Sequence, residues 1–429
     1  MLNVDRRTFM KSSAAVATMA MAGTAGAQAK DKIRVGIIGC RNRGHQVGKV
    51  MTDCGEFEIV ALADCDLAMA EAAVPRVGEQ PHGAPRIYQD FRELLEDKEV
   101  DAVVNATPDF WHAAITILAL EAGKHVYLEK PASYNINDGK AMLAASRQHP
   151  ELVVIVGTQQ RSSGHFKQAK EFIQSGGLGK IGFTRAWITH TRGALPRVPD
   201  SDPPETMDYD LWVGPAPYHP YNQHRCHYDW HWVKDYGTGE MGNWGAHWLD
   251  ISRWFLDLGL PTAAMGLGGT YVIDDIKETP DTQTVLYEYP GITALWEQRL
   301  WTSYSIQNER AATEVSGDDG SLVITRAGWT HYPRTGDPVR HDSIDNMEIE
   351  HAKNFAACIR GEETVPGTSL EEGLKTSVMC HLGNICVGLK RRVAFDPETE
   401  LILGDEEAAR MAGREYRGEW KGLLDRYLA

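Results

Sequence analysis

The run Ile33-Arg34-Val35-Gly36-Ile37-Ile38-Gly39-Cys40-Arg41-Asn42-Arg43-Gly44 reads as a buried strand that breaks into a tight turn, with a helix starting from about His45. The strand is short, apolar and rich in β-branched residues, which suits a parallel sheet covered on both faces. Gly39 can make the turn and Gly44 can let the helix pack close. Between them, the amides of Cys40, Arg41, Asn42 and Arg43 and a helix N-terminus would face an anion, and a pyrophosphate fits that description. The pattern G-x-G-x-x-G would have a glycine where Arg41 stands.

A second apolar strand, Glu58–Ala63, delivers Asp64 twenty residues after Gly44. A carboxylate there can accept both ribose hydroxyls of NAD and would repel the extra phosphate of NADP. Strand and helix patterns alternate onward through a strand at Ala102–Ala106, a helix from Phe110 to Ala122, a strand at His125–Leu128, a helix from Ile136 to Gln148 and a strand ending at Val156. This is the pattern of a doubly wound α/β domain, expected over residues 30–157. Thr107 and Pro108 sit at the carboxyl end of a strand, where ligands bind in such sheets, and His112 faces the same rim. Glu129-Lys130-Pro131 ends the next strand. The proline fixes the backbone, so Lys130 is held at the mouth of the sheet, and Glu129 can hold either that lysine or a ribose hydroxyl. Gln159 follows the last strand and completes the expected cofactor contacts.

The chain is 429 residues long, 42% hydrophobic and 24% charged, which describes a soluble globular protein with room for two cores. Its N-terminus reads as a twin-arginine leader: Arg6-Arg7, an Ala/Met stretch, then Ala27-Gln28-Ala29. The expectation is export to the periplasm, with residues 1–29 outside the fold and no membrane insertion. The formal charge is −15, and the leader carries Arg6, Arg7 and Lys11 against Asp5, so the remainder is near −17. Such a chain repels nucleic acid and anionic lipid. Seven cysteines without metal-ligand spacing imply no disulfide framework.

Beyond residue 157, a long Pro-, Asp- and Tyr-rich loop from Arg192 to Tyr221 leads into an aromatic and histidine cluster that includes Tyr228, Trp230, His231 and Trp244. Indole faces stack on sugar C–H surfaces while polar tips bond hydroxyls, so these are the expected carbohydrate contacts. A zinc site is the competing reading, but the histidines lack an H-E-x-x-H pattern and no cysteine pair joins them, so no metal is expected. Asn243 and His247 are four apart and share one face with Asp250 and Trp254 if the segment is helical. Alternating stretches at Thr270–Ile273, Thr284–Tyr289, Thr293–Leu300, Ala312–Val315 and Ser321–Ile324 read as an antiparallel sheet with one covered face, and helices near 348–360 and 369–389 follow.

With the Gly39–Gly44 turn, Glu129-Lys130-Pro131 and Asn243-Trp244-Gly245-Ala246-His247 in place, residues 32–395 resemble the Gfo/Idh/MocA family of NAD(P)-dependent oxidoreductases. The resemblance implies an N-terminal Rossmann domain, then a C-terminal α/β domain (residues 158–429) on an open, mostly antiparallel sheet that commonly serves in homo-oligomerisation. The family's E-K-P lysine falls on Lys130 and the histidine of its D-x-G-x-H motif on His247, while the aspartate of that motif falls on Asn243. Those three are the catalytic candidates. The expected activity is hydride transfer from a sugar or glycoside hydroxyl to tightly bound NAD. Redox-neutral cleavage of a glycoside through a transient keto-sugar, and a sugar-binding protein without catalysis, stand as alternatives.

Overall fold

The computed structural model describes residues 31–428. The leader expected at 1–29 lies outside the described residues. The buried run Ile33–Ile38 forms β1, the centre of a six-stranded sheet in which every pairing is parallel. Its other strands are β2 (Phe57–Ala63), β3 (Arg86–Tyr88), β4 (Ala102–Asn105), β5 (His125–Leu128) and β6 (Val154–Val156), in the order β3-β2-β1-β4-β5-β6. The order reverses between β1 and β4, and the crevice at the carboxyl ends of strands on either side of such a reversal is where ligands sit. Asp64, Thr107 and Glu129-Lys130 follow β2, β4 and β5 directly, so all three reach that crevice.

The helix after β1 spans Asn42–Cys54, three residues earlier than the sequence pattern indicates. Two glycines make so short a turn possible. Gly39 has φ +85°, and a Cβ there would lie 2.8 Å from the Ala106 carbonyl oxygen; a Cβ on Gly44 would lie 1.9 Å from that of Gly39. Arg41 stands in ordinary extended backbone at φ −64°, so this position requires no glycine for its conformation.

The second sheet has ten strands in the order β14-β13-β12-β11-β7-β10-β9-β8-β15-β16. They are β7 (Ile181–Thr189), β8 (Ala263–Gly269), β9 (Thr282–Tyr289), β10 (Ile292–Arg299), β11 (Ala311–Gly317), β12 (Gly320–Thr325), β13 (Gly328–Pro333), β14 (Val339–Asp342), β15 (Val393–Asp396) and β16 (Leu401–Leu403). Only β7 and β10 pair in parallel. Helices Ala246–Phe255 and Leu370–Leu389 cover one face, where Trp248, Leu249 and Phe255 meet Tyr287 and Trp296 in a dry core. Met265 and Leu267 on β8 remain exposed.

The strand expected at Thr270–Ile273 does not form. The Asp281 carboxylate instead gathers the amides of Tyr271, Val272 and Ile273, and the edge pairing belongs to the preceding glycine-rich β8. Parts of the C-terminal half return to the first sheet: Phe355 of helix Met347–Ile359 stacks on Phe57 at 5.9 Å, and Trp420 meets Trp111 edge-on at 4.7 Å. Among the described residues no helix is long and apolar enough to cross a membrane.

Candidate active site

A cleft of about 700 Å³ opens at the carboxyl edge of the parallel sheet and is walled on its far side by the second half of the chain. Gly39, Arg41, Asn42, Arg43, Asp64, Thr107, Pro108, Glu129, Lys130 and Gln159 line it from the first half; Tyr228, Trp230, His231, Asn243, Trp244 and His247 line it from the second. Two expected cofactor contacts are not on its surface. His112 is buried because its ring nitrogens face the carbonyl oxygens of Pro131 and Thr107 at 2.7 and 3.0 Å, so it fixes the two strand ends rather than meeting a ligand. Gly44 lies beneath the turn, where its missing side chain lets helix and strand close on each other.

At one end, the amide of Cys40 donates to Asp64 at 2.8 Å and that of Asp66 donates to it at 3.1 Å. These bonds fix the carboxylate at the tip of β2, while burial pushes its pKa up. The segment before the aromatic cluster is strapped to this end: the Asp208 amide donates to the Cys65 carbonyl, Thr206 donates to Asp66 at 2.6 Å, and His227 pairs with Asp66 at 2.9 Å. The Arg41 guanidinium lies 5.7 Å over the Tyr228 ring. Tyr228, expected at the sugar, therefore stands beside the glycine turn.

At the other end, Lys130 Nζ donates to Asn243 Oδ1 at 2.9 Å, and Asn243 Nδ2 donates to Glu240 at 2.9 Å. Glu240 is fully buried and ion-paired with Arg192 at 2.6 Å. A carboxylate thus serves this site one helical turn before the position where the D-x-G-x-H motif would have one. Burial pulls the Lys130 ammonium below the ordinary lysine value, against the attraction of Glu129 and Asp109. Asn243 lies in a wide π-type turn, Met241–Gly245, that runs into helix Ala246–Phe255. This turn brings Asn243 and His247 to the cleft, whereas Asp250 points away and is clasped by Arg161 through two bonds of 2.7 and 2.8 Å.

His247 is buried, and its Nδ1 has no hydrogen-bond partner. Burial, reinforced by the Arg326, Lys130 and Arg43 charges, pulls its pKa well below the usual imidazole value, so the ring is neutral at pH 7. Among the residues that carried no assignment from sequence are Glu348, Arg192 and Arg326 on the wall and Glu240 buried beside it. Glu348 binds Arg43 at 2.8 Å and receives Gln159 Nε2 at 2.8 Å; Arg192 and Glu240 form the pair described above; Arg326 lies 5.1 Å over Trp244. Only Glu348 had a sequence signal, its place in the first turn of a predicted helix. Among the described residues, no three His, Cys, Asp or Glu side chains converge to hold a metal ion.

A dinucleotide fits this wall on two observations of the structure. The turn can close this tightly between strand and helix N-terminus only because Gly39 and Gly44 lack a Cβ that would strike the chain's own backbone, and a fixed carboxylate waits at the tip of β2.

Comparison with known proteins agrees with this division of the chain. Residues 33–158 match the profile of an oxidoreductase family with an NAD-binding Rossmann fold, and residues 178–261 match that of the family's C-terminal α/β domain. Myo-inositol 2-dehydrogenase of Thermotoga maritima is 30% identical over 151 residues, which is 34% of this chain and 42% of that protein. The chain thus spans about two fifths of the length of the curated relatives it matches. Aldose-aldose oxidoreductase from Caulobacter crescentus, solved with glycerol, shares the fold at TM-score 0.67 and 19% identity, covering 85% of this chain and all of the other. Levoglucosan dehydrogenase, solved with NADH and levoglucosan, superposes at TM-score 0.67 and 19% identity, covering 85% and 99%. Two segments of this chain, one in each half and in chain order, thus match the profiles of the Gfo/Idh/MocA oxidoreductase family.

Proposed function

We propose that the protein is an NAD-dependent oxidoreductase that oxidises a hydroxyl of a sugar or glycoside. The observation that carries this reading is the meeting of Lys130, Asn243 and His247 on one cleft with the Gly39–Gly44 turn. Asp64, Arg41, Asn42, Arg43, Thr107 and Pro108 hold the dinucleotide, and Asp64 favours NAD over NADP. The strap over Asp66 and Arg41 supports slow release of the nucleotide. When bound, the nicotinamide supplies the hydride acceptor.

The chain's own residues handle the proton and the orientation. His247, neutral and buried, takes the hydroxyl proton. The Lys130 ammonium donates to the same oxygen and stabilises the negative charge that grows on it. Asn243 accepts one Lys130 hydrogen and Glu240 fixes the amide of Asn243, so the ammonium keeps one direction through turnover. Trp230, His231 and Trp244 present aromatic surface to the sugar. Export through the twin-arginine route, which carries folded proteins with their cofactor, and self-association through the exposed face of the ten-stranded sheet belong to the same proposal.

The test is mass spectrometry of the native protein for bound nucleotide, followed by a sugar panel read at the reduced-nicotinamide band. Lys130→Ala and His247→Ala should each lower kcat/KM by about 100- to 10,000-fold while nucleotide remains bound. Wild-type rates in both variants would refute the assignment. Solvent deuterium appearing beside the oxidised carbon with no net NADH would instead indicate redox-neutral cleavage.

A further inference from the structure

The cations of the cleft are not equally matched. Arg43 is held by Glu129 at 2.7 Å and Glu348 at 2.8 Å, and Arg192 by Glu240. Lys130 rests on the Asn243 amide. Arg326 differs from all three. It follows β12 at the turn into β13, lines the cleft, and holds its guanidinium 5.1 Å from the centre of the Trp244 ring. Its Nε is buried with no hydrogen-bond partner, and among the described residues no carboxylate lies within ion-pairing distance. A buried Nε–H with no acceptor is costly, and the group that uses a guanidinium's donors with matching planar geometry is a carboxylate. The cost is the more telling in a chain of formal charge −15, where 59 acidic side chains were available as partners.

We infer that the substrate is a sugar acid, of the uronate or aldonate type, whose carboxylate pairs with Arg326 while a neighbouring hydroxyl is presented to Lys130 and His247. The inference rests on the oxidoreductase reading and narrows its substrate. Among the described residues, two guanidinium groups of the cleft have no ion pair, Arg41 at the glycine turn and Arg326 beside Trp244; the single one at the Trp244 end matches one negative charge, which favours a carboxylate over a phosphate monoester carrying nearly two. The position separates this anion from the cofactor's diphosphate: Arg326 stands with Trp244 and His247, whereas the diphosphate's partners are the amides of the 39–44 turn and Arg41. Trp244 under the guanidinium keeps the fork in place and offers its remaining surface to the sugar ring.

The full-length protein with NADH bound would be titrated calorimetrically with D-glucuronate, D-galacturonate and D-gluconate, and with D-glucose, D-galactose and D-glucose 6-phosphate. At least one acid should bind about 100-fold more tightly than its neutral parent, and the preference should shrink as salt is added. Arg326→Gln should abolish the preference and Arg326→Lys should restore part of it, with NAD affinity unchanged in both. Equal binding of acid and neutral sugars, a preference for the phosphate ester, or an unaltered preference in Arg326→Gln would each overturn the inference. If Arg326→Gln does not fold, the acid-to-neutral ratio and its salt dependence in the unaltered protein decide alone. Failure to bind NAD would defeat the oxidoreductase reading as well, whereas bound NAD without acid preference defeats only the sugar acid.

Discussion

His247 and Lys130 are shifted in the same direction for different tasks. His247 lies below 6.5 because burial and three cations disfavour its charged form, so the proton-accepting ring persists into acid. Lys130 lies below 10.5, so its ammonium is lost earlier than that of a free lysine. The kcat/KM profile should therefore be a bell with its acid limb below pH 6.5 and its alkaline limb below pH 10.5. Asn243→Asp places a carboxylate against Lys130 Nζ. A neighbouring negative charge favours the ammonium, so the alkaline limb should move to higher pH by about one unit, measured as kcat/KM against pH. An unmoved limb would mean that another group sets it. The parts of this site on motifs were legible in the sequence: Gly39, Asp64, Lys130 and His247 all reach the cleft. Arg192, Glu348 and Arg326 were not, because each comes from a separate segment and acquires its role through a partner 48 or more residues away or, for Arg326, through the ring it covers; Glu240 lies three residues before Asn243, and its role appears only when the turn folds the two side chains together. His112 misled for the opposite reason: a histidine at the start of a helix beside the strand ends has the same sequence appearance whether it bonds a ligand or two backbone carbonyls.

Among the elements, the strand–turn–helix of residues 33–54 is the most demanding, and a matched pair of substitutions shows why. Gly44→Ala would force a Cβ to within 1.9 Å of the backbone oxygen of Gly39, which cannot yield without opening the turn. Gly55→Ala, at the other end of the same helix, has φ +82° but nothing within 4 Å of the new Cβ. The first should cost about 3 kcal/mol or more of stability and weaken NAD binding at least tenfold; the second should cost only about 1 kcal/mol and leave NAD binding intact. Denaturant midpoints and nucleotide titrations check both. Elements bounded by strong local chemistry were readable in advance. Helix Ile136–Gln148 forms over the range read from sequence, and Asn135 caps it by accepting the Asp138 amide. Strand β8 was invisible because Gly266, Gly268 and Gly269 carry no alternation pattern. Its glycines exist for a tertiary reason, since a Cβ on Gly266 would sit 2.3 Å from the Thr284 carbonyl oxygen across the sheet. The short strands β13 to β16 are likewise products of pairing rather than of local pattern.

At the scale of the molecule, the joints between the sheets and their covering helices are sealed by neutral histidines. His351, on helix Met347–Ile359, bonds Ser162 at 2.7 Å and the Val156 carbonyl of β6 at 3.0 Å. His381, on helix Leu370–Leu389, meets Ser133 at 3.2 Å, three residues past Lys130. His231 donates to the Tyr228 carbonyl at 2.8 Å and holds the aromatic wall. Burial pulls the three rings down from 6.5 to about 4, 3 and 3 respectively. Each pKa is depressed on folding, so the stabilisation is complete above pH 6.5 and is lost as the pH falls towards 4, where the unfolded chain binds protons that the folded rings refuse. Each ring then contributes a slope of about 1.4 kcal/mol per pH unit to unfolding. The buried carboxyls of Asp109 and Asp138, raised by burial, work in the opposite sense, since their contribution is present in acid and lost as the pH rises. A total acid slope therefore mixes both kinds of group, and the difference between two proteins isolates one. His381→Asn, compared with the unaltered chain by urea unfolding at pH 4.5, 5.5 and 6.5, should be least stable relative to it at pH 6.5, with the gap closing as the pH falls by the slope of one proton. A gap that stays constant across this range would mean that His381 keeps its ordinary affinity for protons inside the fold, and that the joint it seals is open to water.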